Sequence, residues 1–532
     1  MALIDLPEDG GSRLPPAGGT ASVAAVRPRG SMLLVYMVVV VVYSAALLLA
    51  SVVQNRHDFG AVGYCILLFA ICAGPGLMGR HNPRHRLLSV FMGCYFAIFG
   101  LYTTTKILTG SITGGLFGPN GAGDAATQAY TLTSDAVVIF GILALLGGYF
   151  LIAAQRRRQP STFLDHEWRY PAILAIGVLA WSIGFGESIA YQLNVSPLHI
   201  PKTVMGLPLG IASNIRLLSP IGGMMLIYLV ARRHRLRLVW PLLLLVMGSE
   251  FVFGFIGNSK EVSFRIPVLL LLGLYFFQGQ VNRKVLLTVL IIGAPYLLFF
   301  NAYRTITLEH DYKTPAEALQ ALGRNLEAVR HQTTGQDGVA SSSLESFTQR
   351  VDGKVYIDII VAGTDSGRVQ RLGAESLWWF FESFIPSFLW PEKPDIVLGQ
   401  RFNHEFHLSE SQYTFVPTTQ LGELYWDFGM PGAILGMAII GAIFSWLSAA
   451  LLEGAASTVP RFMMLLMSTY YLVVRFEDNI ANQYSVFVRL MILIWVGDRL
   501  LRLLGMSVPA PAADRSAAVS PPAAPPLNLL TH

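Results

Sequence analysis

The sequence predicts an all-α polytopic membrane protein with about twelve transmembrane helices and one large outer loop. Three observations carry this. First, 53% of the 532 residues are hydrophobic and only 13% are charged, with a mean hydropathy of +0.51; soluble domains carry about 25% charged residues. Second, apolar runs of roughly 20 residues, the length that crosses a bilayer, recur along the chain. Third, Lys and Arg alternate from side to side between those runs, as the preference of positive loops for the cytoplasm requires.

The runs fall at about 32–53, 61–79, 87–108, 135–154, 171–193, 211–231, 238–257, 263–280, 285–302, 431–452, 462–475 and 485–503. The eighth and eleventh give the weakest signal, being short or rich in polar groups. Arg13, Arg27 and Arg29 precede the first run; Arg80, Arg84 and Arg86 follow the second; Arg156, Arg157, Arg158 and Arg169 follow the fourth. Arg232, Arg233, Arg235 and Arg237 follow the sixth, Arg283 and Lys284 the eighth, Arg461 the tenth, and Arg499, Arg502 and Arg515 lie at or after the twelfth. All of these fall on one side. The opposite short loops hold only Arg56, Lys202 and Lys260, with Arg265 just inside a span. The alternation therefore places both termini in the cytoplasm.

The chain divides accordingly. Residues 1–31 form a polar cytoplasmic segment without a visible cleavable signal, so the first run acts as an uncleaved anchor. Residues 32–302 hold spans one to nine, 303–430 the large outer loop, 431–503 the last three spans, and 504–532 a Pro/Ala-rich disordered tail. The net charge of +5 is too small to imply nucleic acid as a partner. Cys65, Cys72 and Cys94 all lie in apolar segments and read as small core residues, with no metal or disulfide pattern.

Within the loop, Pro315–Arg330 reads as a helix, His331–Ser343 as a flexible link, and Leu344–Ile360 as a second helix. Then comes "ESLWWFFESFIPSFLWPEKP" (Glu375–Pro394), which crowds Trp378, Trp379, Phe380, Phe381, Phe384, Phe388 and Trp390 together. Aromatic rings with one polar edge favour the membrane–water boundary, so this predicts an interfacial or re-entrant helix at the outer leaflet, ended by Pro386 and Pro391. The plainer alternative is an aromatic belt with a loop that closes the bundle. Lys393, Arg401, His404 and Glu405 follow, and "PTTQLGELYWDFGMPG" (Pro417–Gly432) re-enters the membrane. Glu423 and Asp427, four apart, share a face if that segment is helical.

Ionisable groups at membrane depth are costly and usually face a cavity or a partner. Glu187, Arg216, Lys260, Glu261, Arg265, Arg304, Arg475, Glu477, Asp478 and Arg489 lie within or at the edges of spans, nearly all toward the outer face. Cations at one depth on different helices suit a diphosphate, because the planar guanidinium matches phosphate oxygens and stays charged. Each alone reads equally as a snorkelling side chain or an ion pair, Arg475 with Glu477 or Asp478 above all. No metal signature is present: the acids of Asp124–Asp135 are far apart, and "NHEFH" (Asn403–His407) lacks the H-E-x-x-H spacing. "GLFGPNGAG" (Gly115–Gly123) has no P-loop lysine.

"IPSFLWPEKPDIVLGQRF" followed by "LGELYWDFGMPGAILGM" resembles the Wzy-type oligosaccharide repeat-unit polymerases of O-antigen and exopolysaccharide synthesis. The "GNSKE" turn and "VRFEDN" are similar to further elements of that family, although Ser387 stands where Arg is common. The resemblance implies a GT-C-like, inverting glycosyltransferase in the bacterial inner membrane. It would move a growing glycan en bloc from undecaprenyl diphosphate onto a new lipid-linked repeat unit at the periplasmic face. No cofactor or nucleotide sugar is expected; membrane lipid, a flippase and a chain-length regulator are the expected partners. The diphosphate would be held by Arg216, Lys260, Arg265, Arg304, Arg401, Arg475 and Arg489. The acceptor hydroxyl would lose its proton to Glu423, or else to His404 or Glu405. Glu423 reads alternatively as a carboxylate at a helix N-terminus, and His404 as an ordinary loop histidine. A ligase-like transferase is the nearest competing activity, and a polysaccharide transporter a more distant one.

Overall fold

A computed structural model of the chain describes residues 29–53, 59–109, 131–155, 164–194, 203–204, 207–232, 238–256, 259–278, 283–289, 291, 293, 296, 352–385, 389–390, 398–408, 416–452 and 458–509. It is an all-α bundle. Helices α1 (Arg29–Val53), α2 (Phe59–His81), α3 (Arg86–Phe99), α4 (Leu101–Thr109) and α5 (Thr131–Gln155) come first. After strand β1 (His166–Trp168) and α6 (Tyr170–Asn194), a short β2–β3 hairpin (Thr203–Val204, Leu207–Pro208) leads into α7 (Leu209–Arg216) and α8 (Leu218–Ala231). Helices α9 (Val239–Ile256) and α10 (Lys260–Gln278) follow. The large loop contributes α11 (Gly353–Asp365), α12 (Glu375–Glu382) and α13 (Leu398–Glu405). The last helices are α14 (Gln420–Leu452), α15 (Val459–Ser468), which runs on as a π-helical turn over Thr469–Val474, and α16 (Ile480–Leu503), followed by β4 (Ser507–Pro509).

Among the described residues, six helices are long and apolar enough to cross a membrane, and seven if the pair bent by 53° around Gly100 counts as one. Val239–Phe255 and Val459–Val474 are apolar but shorter. Helix α10 carries Lys260, Glu261 and Arg265, and α16 carries Arg489, Asp498, Arg499 and Arg502, which lowers their apolar character. The ninth expected span lies largely outside the described residues, as do Pro315–Arg330 and His331–Ser343. Large apolar side chains such as Leu179, Leu435 (65% exposed) and Ile439 point outward, as lipid-facing residues do. Small residues let the helices close on one another: a Cβ at Gly148 would stand 2.0 Å from the Ala438 carbonyl oxygen, and one at Gly441 2.0 Å from that of Leu145. These contacts clamp α5 to α14.

Side-chain and backbone contacts sort the connections into two ends. At one end β1 pairs antiparallel with β4, Thr458 donates to the Leu164 carbonyl at 2.7 Å, and Arg502 holds the buried Asp498 at 2.6 Å. At the other, Lys354 meets Asp135, Arg216 meets Glu187, and the Thr419 amide donates to Glu477. Helix α16 spans the two: its start lies beside the Thr419–Glu477 bond, and Asp498 near its other end belongs to the first set.

Three expectations about the loop change. The helix expected at Leu344–Ile360 is described from Gly353 to Asp365, with Asp352 capping it through the Lys354 amide. It does not ride on the surface: Gly353 lies against Ile98 and Phe99, and Ile357 and Ile360 against Gly422, so α11 is sunk into the end of the bundle. The aromatic helix α12 ends at Glu382, before Pro386; Ser376, Trp379 and Glu382 face inward while Trp378 is 61% exposed. Finally, the tenth span does not begin at 431. Helix α14 starts at Gln420 and breaks at Gly429 (φ 70°, ψ −156°), next to Pro431.

Candidate functional site

Of the expected site residues, Arg216, Lys260, Arg265, Arg475 and Arg489 lie along one belt at the end of the bundle that carries α11 and α12. Arg216 closes α7 and is gripped by Glu187 of α6 at 2.9 and 3.3 Å, with the Tyr191 ring 3.7 Å beneath its guanidinium. Three residues on, Ser219 bonds Glu250 of α9, which also takes Arg265 of α10 at 2.7 Å. Arg265 lies within electrostatic reach of Tyr470, Tyr471 and Glu261. Glu261 in turn accepts from Arg475 at 3.2 Å and from Tyr470 at 3.3 Å. Arg475 also holds Asp478 at 2.7 Å, and Asp478 accepts from Asn482 of α16. Lys260 adds its charge beside Glu477. A belt of charged groups thus runs from α6 across α7–α10 to the 469–482 segment.

Within this belt Arg216, Arg265 and Arg475 each face a carboxylate. Arg489 differs. Its Nη1 approaches Asn214 of α7 at 3.5 Å and its Nη2 donates to Ser485 at 3.1 Å. Its Nε is buried with no hydrogen-bond partner. Among the described residues its recorded partners are neutral, and through Asn214 it stands beside the helix that bears Arg216. Arg304 lies outside the described residues.

Arg401 is drawn elsewhere. It bonds Glu405 at 2.6 Å on α13 and Glu375 at 2.8 Å on α12. Burial alone depresses the Arg401 guanidinium, but these two carboxylates more than offset that and raise its pKa. Glu405 is thereby engaged, whereas His404 is exposed on the same helix. Glu423 is not at the surface: it is 0% exposed, and its Oε2 accepts the Ile480 amide at 2.6 Å while Oε1 has no hydrogen-bond partner. Asp427, one turn on, takes the Ser376 hydroxyl at 2.5 Å. The shared face anticipated for Glu423 and Asp427 is thus turned into the core, because α12 and α16 cover it.

Two buried polar groups of this end were not foreseen. Glu250 is a lone acid in the apolar "VMGSEFVFG", and a charged residue at that depth is itself a signal. The second is a knot of Lys354, Asp135 and Asp358, with both ion pairs at 3.0 Å and Ser134 bonded to Asp358. Burial pulls Lys354 down, but the two aspartates outweigh it and raise its pKa. Burial pushes the neighbouring Asp352 carboxyl up to about 7, and Asp358 adds to this while Lys354 opposes it. Only Asp358, four residues after Lys354, was legible as a partner; Asp135 is brought in by the fold. Among the described residues no group of three or more His, Cys, Asp or Glu is arranged to hold a metal ion.

No protein-family model, curated protein or solved structure matches the chain.

Proposed function

We propose that the chain is a membrane glycosyltransferase that polymerises undecaprenyl-diphosphate-linked oligosaccharide repeat units, moving the growing glycan en bloc at the periplasmic face of a bacterial inner membrane. Twelve spans in a GT-C-like arrangement with cytoplasmic termini, and the Wzy-type resemblance, belong to this proposal. The observation that carries it is Arg489: a half-buried guanidinium with neutral partners, beside a belt of further cations. The other guanidiniums of the belt have their charge answered by protein carboxylates. Arg489 keeps charge and donors for an anionic ligand, and a diphosphate is the anion that the reaction leaves behind.

In the reaction an acceptor hydroxyl oxygen bonds to the anomeric carbon of the growing chain, and the bond from that carbon to the diphosphate oxygen breaks. The departing diphosphate gains negative charge as the bond lengthens. A preorganised cation in a water-poor site stabilises that charge most, and loss of one such donor costs about 3–4 kcal/mol. Arg489 takes this role, with Arg475, Arg265 and Lys260 setting the surrounding field and Arg216 on the adjoining α7. For the acceptor proton, His404 is the candidate base that stays exposed, on α13 beside the Arg401–Glu405 pair.

The test is a membrane preparation supplied with lipid-linked single repeats. A polymerase yields a ladder of repeat multiples on undecaprenyl diphosphate, and Arg489→Gln slows its formation about 10²–10³-fold. Transfer to a different acceptor identifies a ligase instead. If cells lacking the gene still make long glycan, the proposal is wrong.

A further inference from the structure

The loop that bears Arg475 and the start of α16 are held by the first turn of α14. The Thr419 amide donates to the Glu477 carbonyl at 3.0 Å and the Gln420 amide to that of Phe476 at 3.1 Å. The Gln420 side chain reaches the Leu472 carbonyl at 3.3 Å and bonds Gln483, whose own amide donates to the Arg475 carbonyl. Thr419 takes a left-handed conformation (φ 59°) to present these groups.

Glu423 completes the set. The first amides of a helix have no partner within it and favour negative charge. In α16, Asn479 satisfies the Asn482 amide at 2.7 Å, and a carboxyl oxygen of Glu423, from another helix, satisfies that of Ile480. The same carboxyl group lies beside Tyr484 on the next turn of α16. Arg475 stands just before this helix start and Arg489 within the helix. A proton acceptor must come within hydrogen-bond reach of the sugar hydroxyl. Glu423 is sealed from solvent and already spends one oxygen on the Ile480 amide.

We infer, resting on the polymerase reading above, that Glu423 is a positioning residue: it locks the N-terminus of α16 to α14 and so sets where Arg475 and Arg489 stand toward the departing diphosphate.

The decisive pair of variants separates the carboxylate's charge from its hydrogen bond. Glu423→Gln keeps an oxygen for the Ile480 amide, whereas Glu423→Ala does not. Ile480→Pro deletes the amide instead, at a first helical position that tolerates proline, with Ile480→Ala as the side-chain control. The expected result is near-wild-type polymerisation with an unshifted pH profile for Glu423→Gln and for Ile480→Ala. Glu423→Ala and Ile480→Pro should each lose activity about tenfold to a hundredfold, the scale of a small misplacement of reacting groups. Amide hydrogen exchange over residues 475–482 should quicken in those two variants alone. The inference is overturned if Glu423→Gln is as inactive as Glu423→Ala while Ile480→Pro remains active, since Glu423 would then be the proton acceptor. It is equally overturned if exchange over 475–482 is unchanged in Glu423→Ala and in Ile480→Pro. If Glu423→Ala fails to fold, Glu423→Gln and Ile480→Pro decide by themselves. Failure of the polymerase reading looks different: the wild type makes no ladder, while the exchange comparison still tests the lock.

Discussion

Arg489 and Arg216 are guanidiniums that meet at α7, yet their surroundings ask different things of them. Arg216 is half of a bidentate pair whose other half, Glu187, is buried. Removing one partner of such a pair strands a charge in a poor solvent, so Arg216→Gln should destabilise the protein by about 3 kcal/mol. Adding Glu187→Gln should restore most of that loss, as a double-mutant cycle of thermal unfolding in detergent would show. Arg489 has no carboxylate to strand among the described residues. Arg489→Gln should therefore leave the unfolding temperature nearly unchanged and lower turnover about 10²–10³-fold, the effect of deleting one oxyanion donor. At this level the sequence was informative about which residues are charged at membrane depth. It could not tell a cation with a carboxylate of its own from one without, because Glu187 and Glu250 reach Arg216 and Arg265 only through helix packing.

The break in α14 shows how an element is settled by its neighbours. A helix interrupted at Gly429 leaves the carbonyls one turn earlier without their usual amide donors, and Pro431 has no amide to give. Arg371 donates to the Tyr425 carbonyl at 3.0 Å, Leu372 to that of Trp426 at 3.3 Å and Gly373 to that of Asp427 at 3.2 Å. Tyr425 and Arg371 also share Asp365, at 2.8 Å each. The strap between α11 and α12 is thus the hydrogen-bonding partner of the broken turn. The backbone of Gly429 is open essentially to glycine alone, and a Cβ there would sit 2.6 Å from Arg371 Nη1. Gly429→Ala should cost about 2–3 kcal/mol in strain, measurable as a lowered unfolding temperature and faster hydrogen exchange over 371–382. The Gly-Met-Pro stretch is visible in the sequence, where the apolar run predicts a span starting at 431. Only the fold shows that it interrupts a helix already under way.

For the molecule as a whole, the two-ended arrangement makes a direct prediction. Cysteines introduced in place of Val508 and of Ser366 should react with an impermeant thiol reagent from opposite sides of the membrane, against a low background from the largely buried native cysteines. A second prediction concerns the docking of α11. A carboxyl that titrates higher in the folded than in the unfolded chain stabilises through its protonated form. For Asp352 that contribution is complete below the unfolded value of about 3.9, and it is lost as pH rises through about 7. The unfolding temperature in detergent should therefore be higher at pH ~5.5 than at pH ~8, and Asp352→Asn should shrink the difference.

By itself the sequence determined that this is a helical membrane protein and where most of its apolar helices lie, and it sets its positive residues in alternate connections. Those properties are written locally, in run length, composition and the spacing of positive residues. Tertiary structure decided the rest: that α11 is sunk into the bundle, that Glu423 faces the start of α16, that Asp135 pairs with Lys354, and that Arg489 meets Asn214. Each of these joins residues far apart in the chain. Which charge finds a partner depends on how helices close over one another, and no local pattern records that.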